Sequence, residues 1–277
     1  MKYFKITVLV ENSANREDLL TEHGLAFLIE QNGVFGLFDT GQSNIFLKNA
    51  QIMGLDLTPL HWVVLSHGHY DHAGGISSIA DFSGWVRIFA HPEAFSPRFI
   101  KEPDGNFLPI GIPISKDGIK KIGLELLCSS EPVEVAGQIM TTGEIPRVTD
   151  FEPEEEVFFT KKGSDFVPDL FPDDIGLIIK TSKGVVVLLG CAHAGVINTL
   201  LRVINIIGEE KIYAVIGGMH LAGASDKRIQ RTIDAFHDFG ISRIGLAHCT
   251  GRRAAKAFLA AFGNSCFMCP TGTVLEF

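Results

Sequence analysis

The chain has 277 residues, of which 46% are hydrophobic and 20% charged, enough apolar material for a sizeable core and too much for a disordered chain. A net charge of -8 and the lack of any Lys/Arg run disfavour a nucleic-acid partner. No apolar stretch reaches the roughly 20 residues of a membrane helix, so no membrane role is expected.

The first thirteen residues, MKYFKITVLVENS, place a charge ahead of a short apolar run, as a leader would. Lys5 interrupts that run and no small-residue cleavage site follows, so the segment reads as a first strand. Residues 25–30 and 34–38 then flank Gln31-Asn32-Gly33, a strong hairpin signal. Asp39-Thr40-Gly41 follows, with a helix expected from Ser43. Strand–helix units come next, over 62–66 with 72–80 and over 86–90 with 92–99.

The second half repeats this plan. Strands 176–181 and 185–189 flank Ser182-Lys183-Gly184, and a helix is expected over Val196 to Ile207. Units 212–216 with 225–239 and 243–247 with 252–262 follow, and 273–277 is a last strand. Strands alternating with helices put helices outside sheets. Two similar halves therefore predict an α/β fold, a four-layer αββα sandwich of two pseudo-symmetric halves forming one domain over 1–277. Two proline-rich stretches, 96–120 and 150–174, fit poorly and read as loop insertions; the second carries the acidic run Glu154-Glu155-Glu156. Their phenylalanines (Phe99, Phe107, Phe151, Phe158, Phe159, Phe166, Phe171) would wall a pocket, fasten the loops to the body or form a homo-oligomer contact.

Residues 65–75 carry the chemistry: Leu-Ser-His-Gly-His-Tyr-Asp-His-Ala-Gly-Gly. In extended backbone alternate side chains share a face, so His67, His69 and Asp71 can face one cavity. His72 would sit in the first turn of the next helix, with Asp71 as its cap. Imidazole and carboxylate together suit zinc, iron, manganese or cobalt. His193, His220 and His248 also follow strands and can converge on one cleft. His23, His61, His91 and His237 are expected to be structural. Five cysteines (Cys128, Cys191, Cys249, Cys266, Cys269) are odd in number and unevenly placed, which fits reduced thiols in the cytoplasm. Cys266 and Cys269 read as structural, and Cys191 as either a small buried residue or a ligand.

The segment SHGHYDHAGG, with TGEIPR at 142–147, GCAHAG at 190–195, GGMHL at 217–221 and AHCTG at 247–251, resembles the metallo-β-lactamase superfamily over nearly the whole chain. Within it these motifs resemble the branch named for 7,8-dihydropterin-6-methyl-4-(β-D-ribofuranosyl)aminobenzene-5′-phosphate synthase. The resemblance implies His67 and His69 on one metal, Asp71 and His72 on a second, and His248 as the last ligand. It departs in the middle: the usual third-motif histidine falls at Glu144 and the usual bridging aspartate at Cys191. His193, Cys191, Glu144 and His220 compete for that role.

Metal-activated water would hydrolyse an ester, thioester, lactam or phosphoester, with two zinc ions, or iron or manganese, and Asp71 orienting the water. The branch name implies a different reaction, joining an aminobenzene ribosyl phosphate to a dihydropterin diphosphate with loss of pyrophosphate. Arg147, and Arg252 or Arg253 at a helix start, would meet such anions. Iron-dependent redox work is a third reading, favoured by Cys191 and Cys249. A metal-free binding module is a fourth, opposed by the intact His67–His72 segment. In each enzymatic reading the partner is a small-molecule substrate.

Overall fold

The structure, a computed structural model, describes residues 3–81, 85–153, 156–208 and 210–277; Glu154 and Glu155 of the acidic run lie outside them. Two hairpins set the frame. In the first, Asn32 and Gly33 both take positive φ (51° and 79°), the conformation a two-residue turn requires. This hairpin joins β2 (Ala26–Gln31) to β3 (Val34–Phe38). One sheet runs from β18 (Val274–Glu276) and β1 (Phe4–Val10) through β2 and β3 to β4 (Leu60–Val64), β5 (Arg87–Ala90) and β8 (Glu125–Cys128). The other runs β17 (Cys266–Met268), β16 (Arg243–Leu246), β15 (Ile212–Gly217), β14 (Gly184–Leu189), β13 (Leu177–Thr181), β10 (Ile139–Thr141) and β9 (Glu134–Ala136).

The halves match as expected. In each, an antiparallel hairpin feeds a run of four parallel strands: β3-β4-β5-β8 and β14-β15-β16-β17. The sheets face each other over a core that includes Phe27, Phe38, Trp62 and Val64 from one and Leu177, Val186, Leu188 and Ile216 from the other. Outside the first sheet lies α1 (Ile45–Ile52), with Phe46 and Ala50 buried against Leu28 and Val63. Outside the second lie α4 (Val196–Ile207), α5 (Asp226–Asp238) and α6 (Arg252–Phe262), which bury Leu200, Ile233 and Phe258. The αββα layering is therefore present. Among the described residues no helix is long and apolar enough to cross a membrane.

Three expectations need correction. The helix expected over 72–80 is one short turn, α2 (Tyr70–Ala73), followed by a 3-10 stretch over Gly74–Asp81. Gly75 there sits where a Cβ would lie 2.4 Å from the Thr40 carbonyl oxygen. Asp71 is not its cap: His69 holds that position, and Asp71 lies in the first turn. The helix expected over 92–99 is a 3-10 turn over Pro92–Phe95 that stops at Ser96. Pro97 disfavours helical backbone in the residue before it, and Ser96 is extended (ψ 145°).

The two stretches read as insertions are not structureless. Each contributes a hairpin pair to a third sheet, in the order β12 (Asp165–Pro168), β11 (Phe158–Lys162), β6 (Arg98–Lys101), β7 (Phe107–Pro109). Pro109 and Pro168 belong to the outer strands, where a missing N–H costs no ladder bond. A short helix, α3 (Lys116–Lys121), leads back to the first sheet. The sheet alternates faces. Phe99, Phe107, Phe159 and Phe166 pack on one another, Phe107 and Phe166 stacking at 3.9 Å, while Ile100, Leu108 and Phe158 face the opposite way, into a cavity. Most of the phenylalanines thus fasten the third sheet together; Phe158 alone of the seven lines that cavity.

Arg98 ties this sheet to the body. It is 2% exposed and ion-pairs with both Asp169 and Asp173, the latter at 2.6 Å. Its removal would leave two buried carboxylates without their cation. Arg98→Met is expected to lower unfolding stability by about 3–5 kcal/mol, read as a fall in the denaturation midpoint. An unchanged midpoint would show that the triad does not hold the third sheet.

Candidate metal centre

The loops after β3, β4, β14, β15 and β16 open on one edge of the sandwich; of the six non-glycines with positive φ among the described residues, Asp39, Ala192, His220 and His248 lie in these loops and Phe171 is stacked on His193 beside them. Such backbone is costly and persists where surrounding contacts enforce it. At Asp39 those contacts are visible. Its Oδ1 accepts from the Ser66 backbone N–H at 2.7 Å. Its Oδ2 accepts from the Ser66 hydroxyl and from His72 Nδ1, each at 2.7 Å.

These bonds set the histidine tautomers. The Ser66 hydroxyl gives its proton to Asp39, so the 2.9 Å contact from His67 Nδ1 must be an N–H donating to Ser66 Oγ. His67 and His72 therefore both keep Nδ1 protonated and leave Nε2 as the atom that can bind a metal. His248 does the same: its Nδ1 donates to Asn12 Oδ1 at 3.0 Å, while its backbone N–H donates to Glu11 Oε1 at 2.8 Å. A carboxylate or amide behind each ligating imidazole is the usual support of a metal site.

Two groups of ligand atoms result. His67, His69 and His193 bring ring nitrogens within 4.8 Å of one another. Asp71 Oδ2 lies 3.6 Å from His72 Nε2 and 3.2 Å from His248 Nε2, and those two nitrogens are 3.2 Å apart. Cys191 Sγ stands between the groups, 3.2 Å from His72 Nε2 and within 4.8 Å of His67. His67 Nε2, His69 Nε2 and both ring nitrogens of His193 are buried with no hydrogen-bond partner. Such orphaned nitrogens are costly unless something accepts their lone pairs, and this donor set fits a transition metal.

The electrostatics agree. Burial, reinforced by neighbouring imidazoles, holds His67 and His193 well below the usual histidine range. Burial likewise brings His69 down to about 3, so these three imidazoles are neutral, the ligating form. Burial opposes charge on His72 too, but Asp71 and Asp39 outweigh it and raise it to about 9. Asp71 is also buried, yet His72 and His248 keep it ionised, below the usual carboxylate range.

The other candidates are placed differently. Glu144, where hairpin alignment put the third histidine, is 56% exposed in its side chain and lies 3.9 Å from His91 Nε2, in none of the ligand groups among the described residues. Thr142 and Gly143, the two residues after β10, lead it toward that neighbour. His193, two residues beyond Cys191, lies beside His67 and His69, its ring stacked on Phe171 at 3.9 Å. Arg147 does not line the cavity; its guanidinium donates to the His193 carbonyl at 2.8 Å and so braces a ligand loop. Arg252 is exposed at the start of α6, and Arg253 bonds the Ala224 carbonyl; neither borders the cavity. His220 does, beside His193.

Several residues here were not expected. His23, read as structural, lies 3.3 Å from Asp71 Oδ2 and lines the cavity mouth with a side chain 59% exposed. Glu11 and Asn12 follow β1, and their strand-end position was the signal that could have found them. Asp173 accepts from the Gly68 N–H at 2.8 Å, and Asp174 accepts from the Ala194 N–H at 2.7 Å. Burial pushes their carboxyls up to about 6 and about 7. Gly68 has no alternative, since a Cβ there would lie 1.9 Å from the Ala94 oxygen.

The cavity holds about 320 Å³ and has two kinds of wall. Its floor is His69, Asp71, Cys191, His193, His220, His248 and Cys249; the facing wall is Tyr70, Ile100, Leu108, Ile110 and Phe158. No lysine or arginine is among its described lining residues.

A family model for the metallo-β-lactamase superfamily matches residues 21–233. A 7,8-dihydropterin-6-methyl-4-(β-D-ribofuranosyl)aminobenzene-5′-phosphate synthase of Methanocaldococcus jannaschii is 34% identical, over 99% of this chain and 96% of its own. The crystal structure of Tm1679, described as a metal-dependent hydrolase of the β-lactamase superfamily, is 30% identical and superposes with a TM-score of 0.84 over 99% of both chains. The metallo-β-lactamase fold protein YhfI from Bacillus subtilis, 15% identical with a TM-score of 0.61 over the full length of both chains, shares the fold. The chain is an enzyme that belongs to the metallo-β-lactamase superfamily.

Proposed function

We propose that this enzyme is a pterin-type synthase, joining an aminobenzene ribosyl phosphate to a dihydropterin diphosphate with release of pyrophosphate, on a pair of zinc ions. The carrying observation is the cavity's division into a floor of metal-capable side chains and an apolar wall, with no cationic side chain among the described lining residues. Anionic substrate groups in such a site must be met by metal, and a planar ring by Phe158 and its aliphatic neighbours. The full-length relative with that name supports the same reading.

His67, His69 and His193 would hold one ion, and Asp71, His72 and His248 the other, with Cys191 between them. Bound there, the ions supply charge that stabilises a departing diphosphate. Asp39 and Ser66 keep the imidazoles aimed by fixing their Nδ1 protons. In the reaction an amine nitrogen bonds to the pterin methylene carbon, the carbon–oxygen bond to diphosphate breaks, and one N–H proton is lost. The half-exposed His23, at the cavity beside Asp71, gives that proton a path to solvent. A second reading, hydrolysis of a small ester or phosphoester, is favoured by the naming of the 30%-identical structure as a hydrolase.

The two readings part on products. Metal-loaded enzyme given both synthase substrates should yield condensed product and pyrophosphate in equal amounts by mass spectrometry. Pyrophosphate without condensed product, or turnover of phosphodiesters, thioesters or lactones instead, would replace the synthase reading with the hydrolase one.

Metal binding itself gives two further expectations. Asp39→Ala should weaken metal affinity about 10–100-fold, because His72 and His67 lose the group that sets their tautomers. Competition with a chromophoric chelator reads this, and wild-type affinity would remove Asp39 from the site's support. The same assay at pH 6, 7 and 8 should show affinity falling about tenfold per unit as pH drops. His72 binds a proton below about 9 in the metal-free protein, and a metal on Nε2 must displace it. His67, His69 and His193 are already neutral and release none. A slope near zero or near three would contradict this assignment.

A further inference from the structure

One group of metal-capable side chains lies beyond the histidine and aspartate ligands. The strands β14, β15 and β16 are neighbours in parallel, and their ends carry Cys191, His220 and Cys249. Cys191 Sγ lies within 4.8 Å of a His220 ring nitrogen and within 4.8 Å of Cys249 Sγ. His220 and Cys249 both line the cavity beside Cys191, which brings the three side chains to one place.

The surroundings are shaped to the second sulfur. Gly218 leaves room for it, since a Cβ there would lie 2.7 Å from Cys249 Sγ. The His220 backbone N–H donates to that sulfur at 3.3 Å, as it would to a thiolate. Ala192, His220 and His248, each next to or among these residues, all take positive φ (57°, 45° and 50°), so all three turns are held in costly backbone. Cys191 and Cys249 both open on the cavity, which provides an entry path.

We propose that Cys191, Cys249 and His220 form a third metal position, specific for a thiophilic ion such as zinc, cadmium or copper(I). Two sulfurs and one imidazole are a softer donor set than the nitrogen and oxygen groups beside it. All three side chains line the cavity, and Cys191 also reaches His72 Nε2 at 3.2 Å, which links this site to the histidine groups. The inference is independent of which reaction the enzyme performs.

Cadmium is the probe. The full-length chain is loaded with cadmium, freed of excess by gel filtration, and read for bound metal and for sulfur-to-cadmium absorption. The wild type is expected to show that absorption. Cys249→Ser should lose about one equivalent and most of the absorption, while the double variant His67→Ala, His69→Ala should keep the absorption. Loss of the absorption in the histidine variant would mean that sulfur ligates only as part of the pair, and would overturn the third position. Wild-type cadmium content and absorption in Cys249→Ser would overturn it equally. Alkylation of the unmutated chain guards against a folding defect in the variants. Cadmium should slow iodoacetamide at Cys249 by about tenfold or more, with exposed Cys128 as internal reference. Equal rates with and without cadmium would sink the proposal.

Discussion

The ligand edge depends on one carboxylate. Asp39 ends β3, takes left-handed backbone, and reaches across to the segment after β4. Through Ser66 it orients His67, and directly it orients His72, so both halves of the ligand segment answer to the same two oxygens. It is fully buried, with Ser66 and both histidines around it. A buried carboxylate is tolerable only with such a complete set of donors. The fold therefore secures these metal-capable side chains by satisfying Asp39, and the positions of His67 and His72 follow from that.

Much of this was legible in the chain. Periodicity and turn residues located the hairpins, the helix from Val196 to Ile207 and the pseudo-symmetric halves, because each signal is local. His67, His69, Asp71, His72, His193 and His248 were visible as residues following buried strands. The supporting partners were not. Glu11 and His248 are 237 positions apart and meet only because β1 and β16 end at the same edge. No local pattern reports which strand ends face each other across two sheets.

The misreadings share a physical origin. Proline marked 96–120 and 150–174 as loops, but the outer strands of a small sheet tolerate proline, and β7 and β12 are outer strands. Glu144 was placed by counting from a hairpin, yet the chain after β10 turns it to His91. Arg147 was read as an anion binder, and the structure uses it on the His193 carbonyl. In each case the local chemistry was read correctly and its neighbour was not foreseen.

The separation of the third sheet from the ligand edge has an evolutionary consequence. Ile100, Leu108, Ile110 and Phe158 contact the cavity from β6, β7, β11 and the chain just after β7, whereas every ligand group stands on the two large sheets. Phe99, Phe107, Phe159 and Phe166 hold the small sheet together on its other face. Ile100 and Leu108 can therefore drift in size and shape without disturbing the aromatic cluster, whereas Phe158, whose ring lies 5.3 Å from that of His193 and 5.5 Å from that of His69, is tied to the metal-capable histidines. Exchange of the aliphatic side chains on the inner face reshapes the cavity while the scaffold stays as it is, which is one route by which relatives so alike in structure come to carry different names.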